Sequence, residues 1–103
     1  MTKNKRELVD YWLEAAKKDL KIVTHLFEKK DYSYALFFTH LVLEKILKAL
    51  YAKEIDVNVP YKHNLVRLAE KLKLELSEEE WNFLDVVSRF NIEARYPDIK
   101  FNF

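Results

Sequence analysis

Apolar residues recur every three or four positions through most of this chain, the spacing of helices that each bury one face. In a first segment from about Lys5 to Lys29, Leu8, Trp12, Ala15, Ala16, Val23 and Leu26 share one stripe, with lysines on the outer face. Asp19 falls in the middle of that stripe. A carboxylate aimed at a core is costly unless a cation or several donors meet it there. Another part of the chain must therefore answer Asp19.

Three further helices follow. Asp31 is placed to cap a second one, from about Ser33 to Glu54, by accepting from the free amides of its first turn. This segment is apolar nearly all round, as expected of a helix packed on several sides. The stretch IDVNVPYK ends it, because Pro60 pushes Val59 out of helical geometry. A short third helix, about Asn64 to Leu72, buries Leu65, Leu68, Ala69 and Leu72. Ser77 and Glu80 then have the spacing of a capping box. The fourth helix runs from there to about Ala94, with Pro97 as its stop and Trp81, Phe83, Leu84, Val87 and Phe90 on its apolar side. Short links favour antiparallel neighbours. The fold expected is all-α: an up-and-down bundle of four main helices, with or without a fifth short one, forming a single domain over residues 1–103.

Composition narrows the possibilities. The chain has 103 residues, enough for one core. Glycine is absent, which removes the phosphate-cradling loops of nucleotide folds and the tight turns of a multi-hairpin β protein. Cysteine is absent too, and with it disulfides, thiolate metal sites and thiol chemistry. A net charge of +1 implies no bulk attraction to nucleic acid or membrane. The charged start MTKNKRELVDYW does not resemble a signal peptide, and no apolar run reaches the roughly 20 residues of a membrane span. A cytoplasmic location is expected by elimination.

The candidate chemistry lies on faces that ought to be apolar. On the second helix His40, Glu44 and Lys48 are spaced i, i+4, i+8, with Lys45 at the edge of the strip. This strip is either the solvated side of the helix or the wall of a groove shared with Asp19 and the end of the fourth helix. In the second case Lys48 or an arginine is the cation for Asp19. On the fourth helix Asn91 and Arg95 are i,i+4 partners on the inward side, whereas Arg89 stacks one turn above Asp85 and reads as a surface pair. An Asp19–Arg95 pair could be a packing latch or part of a binding site. His63 opens the third helix and His25 lies on the polar face of the first. The three histidines lie on separate elements without an HExxH pattern, so no metal site is expected, nor any cofactor. Ser77 is committed as a cap and no GxSxG elbow occurs, which leaves no hydrolytic triad.

These residues also carry a resemblance. Trp12, Ala16, Asp19 and Leu20, then Tyr34-Ala35 followed by HLVLEKILKAL, then His63 with Leu65, and last ARYPD at Ala94 to Asp98, resemble the HEPN domain family along nearly the whole chain. The resemblance implies a bundle of four or five helices that commonly dimerises. It also implies nucleotide or RNA binding and a small nucleotidyltransferase partner, in some cases as a toxin–antitoxin pair. The family's nucleases use an arginine and a histidine with four to six residues between them. After Arg89 the corresponding positions hold Ala94, Arg95 and Tyr96. Arginine cannot exchange a proton near neutral pH as histidine does, but it binds phosphate bidentately. The site expected is thus a phosphate-binding one: Arg95 and Asn91 at the phosphate, Asp19 orienting Arg95, Glu44 and Lys48 as the groove wall, and His40, His63 and Arg89 as secondary candidates. The alternatives are a metal-independent ribonuclease of altered site, or a helical scaffold whose inward polar residues serve packing alone.

Overall fold

A computed structural model describes residues 4–59 and 64–95, the last five of these by their helical backbone alone. Four helices appear in chain order: α1 Lys5–Glu28, α2 Tyr32–Glu54, α3 Leu65–Lys71 and α4 Glu78–Arg95. The all-α expectation holds, and each boundary falls within one or two residues of its expected place. Among the described residues no helix is long and apolar enough to cross a membrane.

Helix α2 is the centre of the molecule. It packs against α1 on one side and against α3 and α4 on the other, while α1 touches none of the described helices except α2. The main core lies on the α3 and α4 side, where Leu47, Leu65, Leu68, Ala69, Leu84 and Val87 are buried together. On α1 only Ala16 is buried, small enough to let the two backbones approach. Ser88 ties two elements of the core: its Oγ accepts the Leu65 N–H at 3.1 Å, satisfying a free amide at the start of α3.

The helix ends show how a chain without glycine turns. At the end of α1 the Lys30 N–H donates to Phe27 O and the Asp31 N–H to Leu26 O. At the end of α3 the Lys73 N–H donates to Glu70 O and the Leu74 N–H to Ala69 O. Both are Schellman closures, which need a left-handed residue. Lysine fills that place twice, at φ 63 for Lys30 and 55 for Lys73.

The first of these turns overrides one expectation. Asp31 stands at the N-cap of α2 but makes no side-chain cap bond; its ψ is 66. Asn4 and Asn64 have the extended backbone of a cap and do accept from the third residue on. Asp31 is also the final residue of the preceding closure, and that closure sets its backbone. The capping box forms as expected, with Ser77 N–H donating to Glu80 Oε1 and Glu80 N–H to Ser77 Oγ. Hydrogen bonds from the Ser77 backbone, and secondarily its side chain, hold the Glu80 carboxyl below its usual pKa.

Candidate functional site

The polar strip of α2 is buried. His40, Glu44 and Lys48 are 1%, 7% and 6% exposed, which removes the reading of the strip as a solvated face. Helical spacing stacks the three, and their heads connect along the axis. His40 Nδ1 lies 3.5 Å from Glu44 Oε1, and Lys48 Nζ donates to Glu44 Oε2 at 2.8 Å. Lys48 Nζ also sits 5.5 Å from the centroid of the Trp12 ring on α1, within reach of a cation–π attraction. A carboxylate thus lies between an imidazole and an ammonium, under an indole lid. The Trp12 indole N–H has no acceptor among the described residues.

Asp19 points into the α1–α2 interface as expected, but its partner there is Lys45, not Lys48. Lys45 Nζ donates to Asp19 Oδ2, with side-chain exposures of 25% and 13% respectively. The cause is antiparallel register. Trp12 faces Lys48, so a step forward along α1 to Asp19 is a step back along α2 to Lys45. Lys48 is in addition held by Glu44. Sequence reasoning placed Lys45 at the strip's edge without giving it this role, and it missed Trp12 as the cover of Lys48. The signal available was that Trp12 and Asp19, seven residues apart, share a stripe.

On α4, Arg89 is a surface residue. It pairs with Asp85 one turn away, with side chains 70% and 50% exposed, so nothing draws it into a site. Phe83, expected to face inward, is 49% exposed. Asn91 and Arg95 belong to α4 and continue the register of Leu84 and Ser88, both buried; their side chains lie outside the described residues. His63 and the Tyr96–Asp98 part of ARYPD also lie outside them. His25 is exposed, as its polar face implied.

This arrangement favours holding charge over moving protons. His40 is too enclosed to reach a substrate without an opening of the helix packing. An anion recruited by Lys48 alone would have to displace Glu44. The strip is a buried polar backing along α2.

These features define a class: a small helical bundle with ionisable side chains threaded along its central helix. Its family is defined as well. The HEPN domain model matches residues 9–102, and the chain belongs to that family. No curated protein and no solved structure gives a significant match.

Proposed function

We propose that this HEPN domain is a binding module for the phosphate of a nucleotide or RNA, acting as a homodimer with a small nucleotidyltransferase partner in a toxin–antitoxin-like pair. The observation that carries the reading is the burial of His40, Glu44 and Lys48 on the central helix of a domain of this family. A scaffold gains little from such a strip, since apolar residues of similar size stabilise a core at least as well. A binding site gains a wall of fixed charges that need no reordering when a ligand arrives. In this reading Arg95 and Asn91, on the inward register of α4, make the phosphate contacts. Glu44 and Lys48 form the wall, His40 anchors it, and Asp19 holds Lys45 at its edge.

The absence of a histidine after Arg89 favours binding over cleavage, since arginine remains charged through the pH range in which an RNA 2′-hydroxyl must lose its proton. Fluorescent nucleotide titration tests the proposal. Arg95→Ala should weaken affinity at least about five-fold, the loss of a charge-assisted bond, with an unchanged helical circular dichroism signal. Undiminished affinity in the folded variant removes Arg95 from the role. Labelled RNA cut by the pure protein would replace binding with catalysis.

A further inference from the structure

Among the described residues, no helix covers the side of α2 opposite the polar strip. Ile46 lies two residues from Glu44 and so faces nearly the other way around the helix. It forms the floor of two hollows. One, of about 610 Å³, runs between α1 and α2, with Leu13 and Leu20 as its outer wall and Val42 beside Ile46. The other, of about 420 Å³, runs between α2 and α4, with Leu43 and Leu50 below and Phe83 as its wall. Because α1 touches no described helix but α2, nothing described roofs the space above Ile46. The two hollows share Ile46, and we read them together as one channel between α1 and α4. Along α1 it extends from Asp10 to Leu20, about 15 Å at the helical rise, or about three turns of a guest helix.

The walls are apolar and out in solvent: Leu20 is 53% and Phe83 49% exposed. Acidic side chains outnumber basic ones along the lining, and the one lysine there, Lys17, pairs with Glu14 at 3.5 Å. Asp10 and Glu14 line it on α1 and Glu79 and Glu80 on α4, against Lys17 alone. Lys5, Arg6 and Lys53 gather at one end, around a small hollow that shares Asp10 with the α1 wall. A second copy of this chain docking by the same face would set acid against acid, which is repulsive. A guest with an apolar stripe and cationic flanks meets both the walls and the rim.

We propose that this channel receives an amphipathic helix of a partner protein, apolar on one face and flanked by lysine or arginine. The mode is that of a helix laid into a groove, with side chains at i, i+3, i+4 and i+7 as anchors. The channel is separate from the proposed phosphate site, since the two occupy opposite sides of α2.

Fluorescence anisotropy with a labelled synthetic helix tests this. The probe has about 14 residues, with leucines along one face and lysines on both flanks; a twin carries glutamates in place of the lysines. The lysine probe should bind saturably, one per domain, at least about ten-fold tighter than its twin. Leu20→Glu and Phe83→Glu, both at exposed positions, should each weaken it about ten-fold with helical signal and nucleotide affinity unchanged. Reversing the rim with Glu14→Lys and Glu79→Lys should shift the preference toward the glutamate twin. Equal binding of the two probes, or binding indifferent to Leu20→Glu and Phe83→Glu, overturns the proposal. So does sedimentation showing a dimer of the pure protein that Leu20→Glu alone separates, which would assign the channel to a second copy.

Discussion

Asp19 and Lys45 meet because the two facing stripes of an antiparallel helix pair slide into register on other residues. Ala16 is the buried contact of α1, and Trp12 spreads over the Lys48 ammonium. With those two in place, the next inward position of α1 arrives at Lys45. The pairing has a measurable signature. A double-mutant cycle on urea stability with Asp19→Asn and Lys45→Met should give a coupling of about 1 kcal/mol, typical of a partly screened contact pair. The cycle of Asp19→Asn with Lys48→Met should be additive. Equal coupling in both would mean that Asp19 is shared between the two lysines. Lys48 belongs to a different unit, since Glu44 holds its ammonium from the same helix.

Turns that other chains build with glycine are built here with lysine, and the cost is local. Lys30 and Lys73 hold left-handed backbone, where a Cβ crowds the neighbouring carbonyl. Lys73→Gly should therefore raise unfolding stability by about 0.5–1 kcal/mol, because the native φ is free for glycine. It should appear as a higher urea midpoint at unchanged slope. A lower midpoint would show that the lysine stem contributes packing that outweighs the strain. The Ser77–Glu80 box needed only a four-residue window to be read, because both hydrogen bonds lie within it. Asp31 did not behave as its residue type promised, for its backbone answers to the turn before it rather than the helix after it.

Stability across the whole molecule is uneven. Among the described residues, the buried apolar cluster draws on α2, α3 and α4, whereas α1 contributes a single buried residue and rests on one neighbouring helix. Native-state hydrogen exchange should show α1 amides opening at free energies at least about 1 kcal/mol below those of Leu47, Leu68 and Val87. Uniform protection across all four helices would contradict this division. Among the described residues, the same geometry gives α2 two unlike sides, a buried polar strip on one flank and apolar hollows on the other.

Helix number, boundaries, most of each apolar stripe and the capping box could be read along the chain, because each depends on residues within a turn or two of one another. The inward aspect of Asp19 was legible for the same reason. The Asp19 partner, the sealing of His40, Glu44 and Lys48, and the exposure of Leu20 and Phe83 could not be read that way. They depend on how far one helix slides and rolls against another, as in the contact between Asp19 and Lys45 across 26 positions of sequence. Periodicity gives the direction in which a side chain leaves its own helix; packing alone supplies what stands opposite, or leaves the place open.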